Sequence, residues 1–279
     1  MNILYSFIIP HKNCPDLLNR CVNSIPMRDD VQIIVVDDNS NTDKKPRLPE
    51  RKGLEVILLD ENQSQGAGKA RNVGIEHSIG KYLLFADSDD YYTQELSCFL
   101  DEMTETIEDV IYFKFETDNL KRKTDNWSEA IDAYMVNKSN SNIIRFSYWT
   151  PWNKMVNRSF VMNNSLCFET VPVGNDAFFS FSVGKKAETI ACSTRSIYHY
   201  CLNTAGLTKQ KRNFNMEMES LESKVKINKF KKDYNLPPIP IINIGNLFRL
   251  CREYGFCPMC RYIKCYLKMK KNDCVKFIF

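Results

Sequence analysis

The sequence predicts an α/β protein: a mixed, mostly parallel sheet flanked by helices, with a helical C-terminal extension. Three observations carry that prediction. Apolar runs of strand length recur in the N-terminal part without polar alternation. Helix-like segments separate several of them, the pattern of parallel strands buried on both faces. Each run ends in polar side chains, and sheets of this kind bind ligands outside the carboxyl ends of their strands.

The first run, residues 5–10 (YSFIIP), is halted by Pro10 and leads into His11, Lys12 and Asn13. Residues 16–24 read as a helix. The second run, 31–39 (VQIIVVDDN), is β-branched and ends in Asp37, Asp38, Asn39 and Ser40. The third, 54–59 (LEVILL), is followed by Asp60, Glu61 and Asn62, and a helical stretch covers 67–79. The fourth, 82–86, delivers the densest polar cluster: Asp87, Ser88, Asp89 and Asp90. Crowded carboxylates raise one another's pKa unless a cation sits between them, and Asp-x-Asp oxygens suit hard ions such as Mg²⁺ and Mn²⁺. Taken alone, the stretch also reads as an acidic, solvated loop.

Two phosphate and metal motifs are excluded by spacing. A P-loop ending at Lys69 needs Gly at Gln63 and Ser or Thr at Ala70. An EF-hand starting at Asp38 or Asp87 needs Gly where Asp43 or Tyr92 stands.

The segments SFIIPHKN, IIVVDDNSNTD, NQSQGAGKARNVGIEHSIGKYLLFADSDD, PWNKM and VGNDAFF, in that order, resemble family 2 glycosyltransferases of the bacterial polysaccharide type. The resemblance spans roughly residues 5–208 and implies a GT-A (Rossmann-like) catalytic domain over 1–208. It also implies inverting sugar transfer from a nucleotide-sugar donor, a UDP-sugar, with Mn²⁺ or Mg²⁺. By the same resemblance Asp38 meets the uracil imide, Pro10 and His11 flank the base, and Asp87 and Asp89 hold the metal with Ser88 between them. Asp90 is either an outer carboxylate or a helix cap. Arg71 and Asn72 would lie against the nucleotide; the alternative is that Arg71 pairs with a carboxylate to hold its loop.

Inverting transfer needs a base for the acceptor hydroxyl, and Asp176 matches the family base. Asn175 stands where the family has Glu, and an amide cannot share a proton or raise the pKa of Asp176 by repulsion. A helix N-cap is the other reading of Asp176. Trp149, Pro151, Trp152, Asn153 and Lys154 gather aromatics and a cation. An indole would suit a sugar ring and Lys154 a diphosphate or a carboxylate, whereas buried core aromatics are the competing reading for Trp152. His199 is either a third metal ligand or an ordinary strand histidine. His11 and His77 have no metal partners at recognisable spacing.

Charge is unevenly distributed. From Lys209 onward stand 16 basic and 6 acidic residues, a net +10, leaving a net −6 before it. An extension over 209–279 is expected, with a Pro-rich linker at 235–240. Its end mixes aromatics with Lys and Arg, the composition of a helix lying on an anionic membrane surface. A helix packed on the catalytic domain, or a homo-oligomer contact, would share that composition. No run approaches a membrane span and no signal-peptide pattern precedes the first strand, so the expected location is cytoplasmic, peripheral to the inner face of the membrane. The eleven cysteines read as reduced thiols. Cys251, Cys257, Cys260 and Cys265 invite a zinc reading, against which stands the lack of paired knuckles. Nucleic acid is not an expected partner, since no recognised module accompanies the basic tail.

The expected reaction is transfer to a saccharide or lipid-linked acceptor. A sugar-nucleotide nucleotidyltransferase would want a Gly-rich basic loop after the first strand, and HKNCPD is not one. A non-catalytic carbohydrate- or membrane-binding module is disfavoured by the intact Asp38, Asp87, Asp89 and Asp176.

Overall fold

β1 (Tyr5–His11) and β2 (Val31–Asp37) are buried along their whole length, as their mostly apolar, non-alternating sequence requires. They pair in parallel with each other. β3 (Leu54–Leu58) joins β2 and β4 (Tyr82–Phe85) joins β1, both parallel. β3 departs from expectation: as the sheet edge it is buried only in part, with Val56 and Leu58 exposed. The computed structural model describes residues 2–118, 127–171, 174–202, 213–236, 238 and 240–271.

The second half of the sheet is mixed. β5 (Tyr91–Tyr92), β6 (Val110–Thr117), β7 (Lys154–Asn157) and β8 (Ile190–Tyr200) complete eight strands in the order β3-β2-β1-β4-β7-β6-β8-β5. β7 runs antiparallel to both β4 and β6, whereas β8 runs parallel to β6. The sheet is therefore parallel on one side of β4 and mixed on the other. The loop after β4, carrying Asp87 to Asp90, opens at that change of direction.

α1 (Pro15–Ser24) starts on Pro15, whose missing N–H and fixed φ suit a first helical turn. α2 (Ala67–His77) is shorter than the expected 67–79, because the chain turns extended at Ser78, whose hydroxyl bonds back to the Ile75 carbonyl. The glycines of α2 set its packing. A Cβ on Gly74 would lie 2.4 Å from Ile8 Cγ2, and one on Gly68 only 2.1 Å from the Glu169 carbonyl oxygen. α3 (Glu95–Glu102), α4 (Trp127–Val136), α5 (Asn142–Ser147), α6 (Arg158–Asn163) and α7 (Asn175–Lys186) complete this part. One apolar core runs through it, from Tyr5 and Phe7 to Ile197 and Tyr198.

The chain divides into two units, Met1–Thr170 with Asn175–Thr204, and Val171–Gly174 with Ala205–Phe279. The expected boundary between residues 208 and 209 falls outside the described residues, as do Pro237 and Ile239 of the expected linker and the last residues of the basic tail. The second unit contains α8 (Phe214–Asp233), α9 (Ile244–Tyr254) and α10 (Phe256–Lys271), centred on Leu221, Leu250 and Tyr262. Arg249 of α9 reaches the buried Glu217 of α8 at 2.9 Å. No helix among the described residues is long and apolar enough to cross a membrane.

Candidate functional site

Parallel register brings the ends of β1 and β2 level, with His11 opposite Asp37. His11 Nδ1 lies 2.7 Å from Asp37 Oδ1, and both side chains are fully buried. Ser40 completes the network, its amide and hydroxyl both donating to Asp37. The other ring nitrogen, Nε2, lies 3.2 Å from the Cys14 amide. Burial alone would pull the imidazole down, but hydrogen bonding to the Asp37 carboxylate, then to the Cys14 side chain, pushes its pKa up to about 9. His11 is thus tied into the strand ends, and Pro10 is buried beside it opposite Val36.

Asp38 caps the same edge. Its Oδ2 lies 3.0 Å from Lys12 Nζ, and its Oδ1 accepts from the Gly66 amide at 3.1 Å, just ahead of α2. Gly66 has φ 84°, a conformation that disfavours a side chain. Each Asp38 oxygen keeps lone pairs beyond these contacts.

The acidic loop resolves into different roles. Asp87 and Asp89 are partly exposed, whereas Asp90 is fully buried. Asp90 accepts from the Tyr198 hydroxyl and from the Cys201 amide, both at 2.7 Å. Burial, then the charges of Asp87 and Asp89, push its pKa up to about 8. Asp90 is therefore a strut joining the loop to β8, not the cap of α3, whose N-cap position is Gln94. Ser88 is buried, with its Oγ 3.2 Å from Cys14 Sγ. Arg20 donates to the Asp89 carbonyl.

Arg71 connects this loop to α7. Its Nη2 donates to Asp87 Oδ1 at 2.6 Å, and its Nη1 donates to Asn175 Oδ1 at 3.0 Å. The guanidinium also lies over the Phe168 ring, 5.3 Å from its centroid. Of the two readings of Arg71, the structure shows the pairing with a carboxylate, and that carboxylate is Asp87. Asp176, the next residue, has a pKa raised by burial, with Arg71 lowering it and Asp87 raising it further. Asp176 lies in the first turn of α7. Asn72 is turned elsewhere: its amide donates to the Phe168 carbonyl at 2.9 Å and accepts from the Phe168 amide at 2.8 Å. It clamps the chain ahead of α7.

Lys154 is fully buried. Its Nζ donates to the Thr150 carbonyl, to Asn153 Oδ1 at 3.1 Å and to Ser180 Oγ at 3.2 Å. Burial pulls its pKa down to about 7, against the pull of Asp176. This geometry corrects the diphosphate expectation, because the ammonium is wrapped by protein oxygens. Trp152 is likewise core, stacked on Tyr198 at 4.8 Å and 8°. His199 turns its Nε2 to Asp118 Oδ2 at 3.2 Å and groups with Asp118 and Cys201 rather than with Asp87 and Asp89. Among the described residues, the C-terminal cysteines do not gather into a group able to share an ion.

Several contributors escaped the sequence. Asp37 carried a signal, as the first of two adjacent carboxylates at a strand end. Cys14, Arg20 and Tyr198 carried none, since their partners lie 69 to 181 residues away.

Comparison with known proteins agrees with this architecture. The family described as Glycosyl transferase family 2 matches residues 6–181. The poly(ribitol-phosphate) beta-N-acetylglucosaminyltransferase TarS of Staphylococcus aureus is 28% identical over 215 residues, 72% of this chain and 36% of that protein. The poly(ribitol-phosphate) beta-glucosyltransferase of Bacillus spizizenii is 26% identical, over 72% of this chain and 32% of its own length. The chain thus spans about a third of these relatives. A UDP-Glc:alpha-D-GlcNAc-diphosphoundecaprenol beta-1,3-glucosyltransferase of Escherichia coli, WfaP, is 34% identical over 91 residues, 32% of this chain and 36% of that protein. The crystal structure of TarS 1–349 with UDP-GlcNAc superimposes with a TM-score of 0.64 at 18% identity, covering 96% of this chain and 81% of that one. A mannosyltransferase from Pyrobaculum calidifontis, with GDP-Man and Mn²⁺, gives a TM-score of 0.52 at 13% identity, covering 96% and 76%. The architecture is the GT-A fold. With the family match covering more than half of the sequence, including the strand ends that carry Asp38 and Asp87 to Asp90, the chain belongs to glycosyl transferase family 2.

Proposed function

We propose that this protein is an inverting glycosyltransferase that moves a sugar from a UDP-sugar to a saccharide or lipid-linked acceptor in surface polysaccharide biosynthesis. One observation carries the reading: Arg71 ties Asp87 of the acidic loop to Asn175, the neighbour of Asp176. The group suited to the donor diphosphate and the group suited to the acceptor hydroxyl therefore belong to one site. The activities that name TarS, the Bacillus glucosyltransferase and WfaP support the donor and acceptor classes.

The chemistry follows from these residues. The acceptor hydroxyl attacks the anomeric carbon, its proton passes to the Asp176 carboxylate, and the bond to the diphosphate oxygen breaks on the opposite face. Burial raises the pKa of Asp176, with Arg71 opposing the rise, and a raised pKa makes its carboxylate a better proton acceptor. Arg71 holds both Asp87 and the start of α7, so the base and the donor side keep a fixed separation.

The acidic loop also fits a divalent cation. Asp87 and Asp89 are partly exposed oxygen donors, and their combined charge helps to keep the buried Asp90 protonated well above its ordinary range. Asp87 and Asp89 would hold Mn²⁺ or Mg²⁺, which when bound neutralises the diphosphate and stabilises the departing nucleotide. The test is calorimetric titration with a panel of nucleotide sugars, with and without Mn²⁺, followed by assay of sugar transfer and hydrolysis. Metal-dependent UDP-sugar binding is expected, and Asp89→Ala should remove it. Unchanged Mn²⁺–UDP affinity in that variant sinks the metal assignment.

The helical unit is proposed to rest on an anionic membrane surface. Ile244, Phe248, Phe256 and Leu267 are exposed large apolar side chains on α9 and α10. Arg252, Arg261, Lys264 and Lys268 are exposed on the same two helices. Apolar wedges with basic neighbours suit an interfacial helix. Phe248→Ser with Phe256→Ser should abolish salt-sensitive sedimentation with phosphatidylserine vesicles, and equal sedimentation of variant and wild type would refute the surface role.

A further inference from the structure

We propose that Asp118, His199 and Cys201 form a binding site for a borderline-soft divalent transition-metal ion, zinc foremost, separate from the Asp87–Asp89 pair. The ligand atoms of these three residues all lie within 4.8 Å of one another. The parallel pairing of β6 and β8 creates the cluster: Glu116 lies opposite His199 and Thr117 opposite Tyr200, so Asp118 and Cys201 follow at the same level. His199 Nε2 stands 3.2 Å from Asp118 Oδ2. Nitrogen and oxygen donors at ~2.0–2.2 Å from a tetrahedral ion lie roughly 3.3–3.5 Å apart, so little movement is needed to admit one.

The donors are held as ligands usually are. The His199 ring stacks on Tyr91 at 4.6 Å with the planes 7° apart, and its Nδ1 lies 3.6 Å from Glu116 Oε2. The stacking fixes the ring plane, and the Glu116 carboxylate adds negative charge beside the cluster. The Cys201 amide donates to Asp90 Oδ1, which anchors that backbone. Arg20 Nη2 donates to Cys201 Sγ at 3.3 Å, a contact that favours the thiolate a metal needs. Burial holds the Cys201 thiol up at about 11, so an entering ion displaces a proton.

Donor chemistry selects the ion. Hard Mg²⁺ and Mn²⁺ prefer oxygen alone, whereas one thiolate, one imidazole and one carboxylate suit zinc, with a fourth position left for water. Among the described residues, no carboxylate of the acidic loop shares this cluster. A bound ion would tie the ends of β6 and β8 together. It would do so beside Arg20, which also donates to the Asp89 carbonyl.

The test uses the full chain, stripped of metal and titrated with Co²⁺ alone. One equivalent should bind with a thiolate-to-cobalt charge-transfer band that Zn²⁺ then abolishes. Cys201→Ser should remove the band, and His199→Gln and Asp118→Asn should each weaken Co²⁺ binding by about tenfold or more. Cys257→Ser, which removes an exposed thiol of α10, and Asp89→Ala should leave the band intact. A band that survives Cys201→Ser, or one lost in Cys257→Ser or Asp89→Ala, overturns the site. Asp118 is exposed, so Asp118→Asn keeps the test decisive where the other two variants fail to fold; wild-type Co²⁺ affinity in that variant also overturns it.

Discussion

Arg71 donates from Nη1 to Asn175 Oδ1 at 3.0 Å, joining residues 104 positions apart. The same guanidinium holds Asp87 and lowers the pKa of Asp176, so one buried cation sets the electrostatics on both sides of the site. Arg71→Met should weaken folding by about 1–3 kcal/mol, because Asp87 and Asn175 lose a charged donor. It should also shift the acid limb of the rate profile to higher pH, since Asp176 loses the charge that favours its ionised form. Arg71→Lys keeps the charge but cannot span both partners, and should recover only part of the effect. A lowered Tm with an unmoved pH profile would leave Arg71 a purely architectural residue.

Asp176→Asn should reduce kcat by ~10²–10⁴ with donor affinity nearly unchanged, the size expected for loss of a general base. In the wild type the rate should fall as pH drops through the raised pKa of Asp176, because the base must be ionised to accept the proton. Single-turnover kinetics across pH read both effects. A fall in donor affinity matching the fall in rate would make Asp176 a helix-capping residue.

The His11–Asp37 pair gives stability its own pH dependence. His11 is raised from 6.5 to about 9 in the folded state, so its contribution is complete below pH 6.5 and is lost as pH rises through about 9. The loss should amount to about 3 kcal/mol at most. Urea midpoints of wild type and His11→Gln, measured from pH 6 to pH 9.5, should converge with rising pH. Parallel curves would show that the imidazole stays neutral throughout.

Gly68→Ala should destabilise the protein by about 1–3 kcal/mol, the range for overpacking, because the new Cβ would meet the Glu169 carbonyl at 2.1 Å. The exposed Glu76→Ala on the same helix should change stability by less than about 0.5 kcal/mol. Denaturant midpoints compare the two. Equal values would mean that the backbone at Glu169 yields freely.

The strands that build the donor edge were legible because each carries its own apolar run and polar end. β1, β2 and β4 match their sequence signals within a residue or two, and Asp38, Asp87 and Asp89 stand where those signals put them. What the sequence did not carry was the aim of side chains whose partners are distant. Lys154 has the residue type of a phosphate ligand, yet the Thr150 carbonyl and Ser180 hydroxyl enclose it. Asn72 follows Arg71 directly, but helix geometry turns it to the Phe168 backbone instead of the acidic loop. The parallel pairing of β6 with β8 had no local signature either. Asp118 and Cys201 meet only because that pairing brings their strand ends level.

The stacking of Trp152 on Tyr198 gives the protein a native optical reporter. The Tyr198 hydroxyl donates to Asp90 and accepts from the Asp87 amide, so this indole is one ring away from the acidic loop. Any displacement of that loop on ligand arrival changes the surroundings of a buried fluorophore. With phenylalanine in place of Trp127 and Trp149, emission from Trp152 alone would time donor entry in stopped flow, without a label.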